Sequence, residues 1–183
     1  MLFRSQQSKS NANCSVYIGS YGSQGDKTSG QVRINESSLS FSRLGIPVEI
    51  RASSDFIFSE IETRIREIIL NNNVDCLLVH DPNDSHQEHR IIYDICLSAI
   101  RRTNTNLIRY KSVSSTPNFI PNFIVDITDF FPVKLSTLEN HASQNDKPYM
   151  DETTIQSFHT IFQPQTAPRK VYFEQYFIER MFG

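Results

Sequence analysis

The chain has 183 residues, a formal net charge of −2 and 38% hydrophobic residues. This length is enough for one domain with a substantial core, and the near-neutral charge excludes a disordered, highly charged chain and a basic nucleic-acid binder. No stretch approaches the roughly 18 apolar residues of a membrane span, and no secretory signal opens the chain. Widely spaced cysteines indicate reduced thiols in a cytoplasmic protein and no disulfide framework. They are Cys14, Cys76 and Cys96.

The first part of the chain predicts a strand, a helix and a second strand after a polar start. Residues 1–13 are rich in Ser, Gln and Asn, and we expect them to be poorly ordered. Cys14 to Ser20 is a short apolar run typical of a buried strand. Gln31 to Leu44 is predicted as a helix that ends at Gly45, because glycine suits the left-handed C-terminal position. Apolar and polar residues alternate from Ile46 to Arg51, which predicts a strand.

A helix whose only predicted role is core packing precedes the segment that contains the candidate site residues. Ile61, Ile65, Ile68 and Ile69 recur at helical spacing, which predicts an apolar stripe that packs in the core. The helix is expected to end near Asn73. The apolar run that follows, residues 74–79, predicts a buried strand.

Three of the five histidines follow that strand, within a turn rich in Asp, Asn and Ser. In open α/β sheets the crevice at the carboxyl end of a strand is where ligands bind. With Asp84 or Ser85 as N-cap, His86 and His89 fall in the first turns of the next helix and share one face. A metal ion held there would lie near a carboxylate that moves protons. The competing interpretation is a His-x-x-His pair that faces solvent and binds no metal.

The remaining chain continues the alternation of strands and helices. Leu107 to Val113 and Pro121 to Thr128 are predicted strands, and the second leads to a helix capped near Asp129. A further helix begins at Asp151 and carries His159, to which we assign no chemistry. The aromatic segment 171–180 is compatible with a strand or a closing helix. This rhythm predicts an α/β sandwich with a largely parallel sheet.

Five sequence elements resemble, in their order, those of the PIG-L/LmbE-like family, whose members include the de-N-acetylase of N-acetylglucosaminyl-phosphatidylinositol. The resemblance covers residues 14–180. The elements are Arg33-Ile34-Asn35-Glu36 with Leu44-Gly45, Asp84 to His89, Pro121 to Ile127, His141 to Gln144, and Glu174 to Phe177.

The resemblance implies a zinc-dependent N-deacetylase that hydrolyses the acetamide of an N-acetylglucosamine-type sugar conjugate. It implies a single domain over 1–183, built as a three-layer α/β/α sandwich with a mostly parallel, Rossmann-like sheet. By the same resemblance His89 is a zinc ligand, and His86 stabilises the oxyanion or protonates the leaving amine. Glu88 stands where an Asp usually supports that histidine. Further family positions contact the sugar, and they match Arg33, Asp55 and His141.

One departure from the family concerns its first motif. The family begins with a strand ending in His-Pro-Asp-Asp-Glu, which supplies two metal ligands and the general base, and this chain has no such sequence. The resemblance therefore implies that the family's first strand is missing, that zinc is bound weakly or not at all, and that catalysis is weak or absent. A missing strand exposes a sheet edge, where we expect a partner chain or a second copy.

Three functional hypotheses follow from this pattern. In the first, the chain is a fragment of an ordinary sugar N-deacetylase. In the second, it is a degenerate member of the family that binds sugar or serves as a non-catalytic partner. In the third, Asp84, His86 and His89, with His80, recruit a metal of their own for another hydrolysis.

Overall fold

The computed structural model describes residues 13–20, 30–50, 57–161 and 169–182. Contacts within the chain divide it into two compact units, the first formed by 1–56 and 126–173 and the second by 57–125 and 174–183. The described strands are β1 Val16–Ile18, β2 Val48–Ile50, β3 Cys76–Val79, β4 Asn106–Tyr110, β5 Phe123–Asp126 and β6 Phe173–Arg180. The described α-helices are α1 Gly30–Arg43, α2 Phe58–Asn72, α3 Gln87–Ala99, α4 Phe131–Leu138 and α5 Glu152–His159.

The first unit contains a parallel pair of short strands joined through α1. β1 and β2 run in the same direction, with Val16 opposite Val48. The end of α1 follows the sequence prediction, because Gly45 adopts φ +61°, which an L side chain rarely tolerates. Its N–H donates to the Ser42 carbonyl, and the N–H of Ile46 donates to that of Phe41. This turn buries Phe41 and Ile46 in the core.

Aromatic packing organises the later part of the first unit. Phe131, at the start of α4, is buried and stacks on Tyr172 with ring centroids 3.8 Å apart. The helix predicted from Asp151 is α5, and Asp151 caps it, since its carboxylate accepts a hydrogen bond from the Thr154 N–H at 3.0 Å. His159 is buried at the end of α5 with Nδ1 2.8 Å from the Phe173 carbonyl oxygen, so it is a satisfied core histidine.

The second unit packs two amphipathic helices and a mixed sheet. The predicted stripe of α2 is buried at Ile61, Ile65 and Ile69, and full burial of one such side chain contributes about 2 kcal/mol. Asn73 ends that helix with φ 48°, a left-handed conformation that asparagine accepts more readily than most residues. On α3 the buried face includes Ile95, which has no exposed surface.

The described strands of this sheet are ordered β3-β4-β6-β5. β3 and β4 are parallel, with Val79 opposite Arg109, so their carboxyl ends lie at the same edge. β6 runs antiparallel to β4, with Tyr176 opposite Tyr110. The segment 171–180, for which the sequence allowed a strand or a helix, is therefore mostly a strand.

The α/β fold class is confirmed, and the pairs β1–β2 and β3–β4 show the parallel pairing that was predicted. Within the described residues no helix is long and apolar enough to cross a membrane. The prediction of poor order for residues 1–13 falls almost wholly outside the described residues, since only Asn13 among them is described. The single-domain prediction stays a prediction.

Candidate functional site

The candidate site begins where β3 ends, in the turn that leads to α3. Asp81, in this turn, accepts a hydrogen bond from the Asn83 N–H at 2.8 Å, and Asp84 accepts one from the His86 N–H at 2.8 Å. Such bonds from a side chain to the backbone two residues later are typical of Asp in turns. The N-cap of α3 is His86. The predicted N-cap at Asp84 or Ser85 is therefore wrong, because the Asp84 carboxylate closes the turn just before the helix.

Three imidazoles form a stack over the start of α3. The rings of His80 and His89 lie 3.7 Å apart between centroids at an interplanar angle of 19°, and those of His86 and His89 lie 4.6 Å apart at 29°. His89 is thus the middle ring, and His86 is the exposed one. The structure brings together the three histidines that the sequence singled out.

The Asp84 carboxylate lies beneath this stack and is buried, with 1% of the residue exposed. Its Oδ2 accepts a hydrogen bond from Ser112 Oγ at 2.6 Å and lies 3.2 Å from Nδ1 of His89. Ser114 Oγ is also 3.2 Å from that nitrogen. Burial by itself would raise the pKa of Asp84, but the hydrogen bonds from Ser112 and from the His86 N–H outweigh it and lower the pKa to about 2. Asp84 is therefore an anion at neutral pH.

The inner histidine of the stack is neutral. Burial, followed by the charge of His89, lowers the pKa of His80 to about 3. Its Nε2 lies 2.7 Å from the Tyr110 hydroxyl, and burial raises the pKa of that phenol. When the Tyr110 O–H donates to Nε2, the proton of this neutral imidazole is on Nδ1. For His89, burial lowers the pKa and the Asp84 carboxylate offsets this only in part.

A second carboxylate, that of Asp81, anchors the turn between β3 and α3. Asp81, 2% exposed, accepts a hydrogen bond from Arg109 Nη1 at 2.5 Å. Arg109 Nε lies 2.6 Å from a carboxylate oxygen of Glu179, and its guanidinium lies 4.0 Å from the centroid of the Phe177 ring. This ion-pair chain ties the turn to β4 and β6. We call His80, Asp84, His86, His89, Tyr110, Ser112 and Ser114 the strand-end cluster.

The sequence did not identify the partners that β4 and its loop contribute. Ser112, Ser114 and Ser115 directly follow β4, and Asp84 pairs with Ser115 as an isolated antiparallel bridge. The sequence did contain a signal for these serines. The serine-rich loop follows the next predicted strand after β3, and neighbouring parallel strands end at the same edge of a sheet. The register that brings Ser112 to Asp84 is a tertiary property.

The donor set of the strand-end cluster does not fit a zinc ion. Structural and catalytic zinc sites use at least three protein ligands. Among the described residues no group of three or more His, Cys, Asp or Glu side chains is arranged to hold a metal ion. Asp84 is occupied by Ser112 and the His86 N–H, and His80 Nε2 by Tyr110. No chemical step is therefore derived through zinc.

Other predicted site residues lie in the first unit, around α1. Arg33 Nη2 donates to the Gln144 side-chain oxygen at 3.4 Å, and Ser40 Oγ lies 3.1 Å from Nε2 of His141. The Glu36 carboxylate accepts from both the N–H and the hydroxyl of Ser143, each at 2.7 Å. Burial lowers the pKa of His141, so this ring is neutral at pH 7. We call Arg33, Glu36, Ser40, His141, Ser143 and Gln144 the α1 cluster.

Two further predicted site residues are Asp55 and Glu88. Asp55 lies outside the described residues. Glu88 is half-buried in the first turn of α3, two residues along the chain from His86, whose ring stacks on His89.

Comparisons with known proteins give the fold a context. Neither a protein-family model nor a curated protein matches this sequence. The solved structure of the conserved protein TT1542 from Thermus thermophilus matches with a TM-score of 0.78 at 15% identity, over 96% of this chain and 85% of that one. The N,N'-diacetylchitobiose deacetylase from Pyrococcus horikoshii, in complex with its inhibitor MPG, matches at 0.71 and 19% identity, over 94% and 76%. A zinc-inhibited form of teicoplanin deacetylase Orf2 matches at 0.69 and 14% identity, over 93% and 88%. This chain shares the α/β fold of these proteins.

Proposed function

We propose that this protein is an N-deacetylase-type protein that binds the acetamide of an N-acetylglucosamine-type sugar conjugate, with weak or no hydrolysis by this chain. The observation that carries the proposal is the strand-end cluster. A buried anionic Asp84 holds His89 beside an exposed His86, at the carboxyl end of β3, in a fold shared with solved sugar deacetylases.

The proposed roles follow from the position of each side chain. His86 is exposed at the N-cap of α3, where it can donate to a developing oxyanion or to a leaving amine. Glu88, in the first turn of the helix, is proposed to support that imidazole at the position where the family pattern usually has an Asp. His89 corresponds to the metal ligand of the family pattern, but no metal is proposed on it, because the described donor set around it does not fit a zinc ion. Arg33, Asp55 and His141 remain proposed sugar contacts.

Weak hydrolysis is proposed on chemical grounds. Amide hydrolysis by metal-activated water requires a held ion and a general base, and each contributes orders of magnitude to the rate. This chain has neither the His-Pro-Asp-Asp-Glu sequence nor, within its described residues, a metal-binding group of three side chains. The chain is therefore expected to bind the sugar and to release acetate slowly.

A second candidate function is a non-catalytic sugar-binding or partner subunit. The observation that favours it is the engagement of Asp84, His80 and Nδ1 of His89 by neighbouring side chains, which suits a rigid binding surface. A partner chain or a second copy at a sheet edge belongs to this proposal. β5 is a terminal strand in the described order of the second unit, and light scattering of the purified chain would measure the assembly.

The test combines a binding and a turnover measurement on the same protein. N,N'-diacetylchitobiose serves as the probe, with binding followed by calorimetry and free amine by a fluorogenic reagent, with and without added Zn²⁺. We expect saturable binding that His86→Ala weakens and turnover near the uncatalysed level. Asp94→Asn, an exposed acid on α3, is the matched control and should bind as the parent does.

Two results would change the conclusion. Absence of saturable binding to this and to larger N-acetylglucosamine conjugates would refute the proposal. Zinc-stimulated turnover that disappears in His89→Ala would replace weak hydrolysis by a self-sufficient catalytic site.

A further inference from the structure

The position of one proton in the strand-end cluster follows from its contacts. Nδ1 of His89 lies 3.2 Å from Oδ2 of Asp84 and 3.2 Å from Oγ of Ser114. A neutral imidazole carries a proton on one nitrogen and a lone pair on the other. The neighbours of Nδ1 therefore decide which atom of His89 faces a ligand as a donor and which as an acceptor.

The anionic neighbour decides between the two tautomers. A lone pair on Nδ1 would face the negative Oδ2 at 3.2 Å, in a site with little water to screen the repulsion. An N–H at Nδ1 instead makes a charge-assisted hydrogen bond. Ser112 already donates its hydroxyl to Oδ2 at 2.6 Å. The competing arrangement, in which Ser114 O–H donates to Nδ1, leaves the carboxylate opposite a lone pair and is the less stable one.

The ring is also held in its plane. His80 and His86 both stack on it, so rotation of the His89 ring out of the stack would cost both contacts. Among the described residues no hydrogen-bond partner is found for Nε2 of His89, and the side chain is 27% exposed. Nε2 is thus the atom through which this ring meets a ligand.

We propose that Asp84 is a positioning residue that fixes His89 as the Nδ1–H tautomer, so that Nε2 accepts a hydrogen bond from a hydroxyl or amide N–H of the bound molecule. The identity of that molecule as a sugar conjugate rests on the proposed function. The tautomer does not, because it follows from the contacts of Asp84 and His89 alone.

The experiment is a measurement of histidine tautomers by NMR. Two-bond ¹H–¹⁵N correlation spectra of the ¹⁵N-histidine-labelled full chain at pH 8 distinguish a protonated from an unprotonated ring nitrogen. We expect the His89 signals, assigned by their loss in His89→Gln, to show protonated Nδ1 and unprotonated Nε2. A protonated Nε2 in the parent protein would overturn the proposal.

Asp84→Asn provides the decisive variant. Oδ1 accepts the His86 N–H at 2.8 Å, so the carboxamide oxygen takes that position and its NH₂ group faces His89. Nδ1 then becomes an acceptor, and we expect the ring to change to the Nε2–H tautomer, as an Asp-to-Asn change does to the histidine of a serine-protease triad. An unchanged tautomer in folded Asp84→Asn would contradict the role of Asp84.

Ser114→Ala is the matched control, because it removes the other neighbour of Nδ1 and keeps the carboxylate. It should retain the Nδ1–H tautomer, and a change there would assign the positioning role to Ser114. If Asp84→Asn does not fold, the parent and Ser114→Ala spectra decide the question by themselves.

Addition of diacetylchitobiose separates this inference from the proposed function. We expect the Nε2 resonance to shift on saturation, and binding to weaken about tenfold in Asp84→Asn, where Nε2 has become a donor. The expected tautomers without any ligand-induced shift would refute the ligand contact and the sugar assignment, while the positioning by Asp84 would stand.

Discussion

The strand-end cluster and the α1 cluster both place a carboxylate at the centre of a polar network, but they differ in burial. Asp84 is 1% exposed and its partners are the side chains and backbone of one turn and one loop. Glu36 is half-buried, and it binds Ser143, 107 residues away along the chain. An unpaired polar group costs far more in a buried site than where water can replace the lost partner. The two clusters should therefore respond very differently to the same kind of substitution.

The largest effect is expected for Asp84→Ala. It leaves the Ser112 hydroxyl and the His86 N–H without their acceptor in a buried site, which should lower the free energy of unfolding by about 3 kcal/mol. Urea unfolding followed by circular dichroism measures it. Asp146→Ala removes an exposed acid as the control. Equal urea midpoints for the two variants would show that the buried hydrogen bonds of Asp84 do not stabilise the fold.

Acid should affect the strand-end cluster through the same carboxylate. The pKa of Asp84 is lowered in the folded protein from 3.8 to about 2, so its contribution is fully present above the unfolded value and is lost as the pH falls towards 2. The difference corresponds to about 2 kcal/mol. Unfolding free energies measured between pH 5 and pH 2 should fall less steeply in Asp84→Asn than in the parent. Parallel curves would contradict the low pKa.

Tyr110→Phe tests the inner end of the imidazole stack. The hydroxyl lies 2.7 Å from His80 Nε2, and its removal takes this hydrogen bond from a half-buried ring nitrogen at a cost of about 1–2 kcal/mol. Urea unfolding measures the loss. Tyr149→Phe, at an exposed tyrosine, is the matched control and should change stability by far less.

Removal of the central carboxylate of the α1 cluster should have a smaller effect. In Glu36→Ala the N–H and hydroxyl of Ser143 lose their acceptor, but Glu36 and Ser143 are only half-buried, so water replaces part of the interaction. We expect a loss of about 1 kcal/mol. If Glu36→Ala costs as much as Asp84→Ala, the contrast between the two clusters fails.

The smallest effect is expected for Glu88→Gln. The change keeps the size of this half-buried side chain and one acceptor oxygen, so what is lost in the first turn of α3 is chiefly the favourable interaction of the charge with the helix dipole, about a few tenths of a kcal/mol. The same urea experiment measures it. A loss as large as that of Tyr110→Phe would indicate that Glu88 belongs to the strand-end network.

Several elements could be predicted because their signals are local. The isoleucine stripe of α2, the glycine that ends α1 and the start of α5 at Asp151 each depend on signals within a few residues, and all three were predicted. The N-cap of α3 was missed because Asp84 has two chemically suitable uses, as a cap or as a turn-closing acceptor. Which of them occurs depends on Ser112, which follows in another loop.

The amino-acid sequence by itself determined the α/β class, the strand and helix that flank the histidines, and the residue types of the candidate site. It did so because hydrophobic period and capping chemistry are short-range properties. Only the tertiary structure decided that the three imidazoles stack, that Asp84 is buried against His89, and that Glu36 meets Ser143. These contacts depend on strand register and on loops that are far apart along the chain, and no local pattern encodes the distance between them.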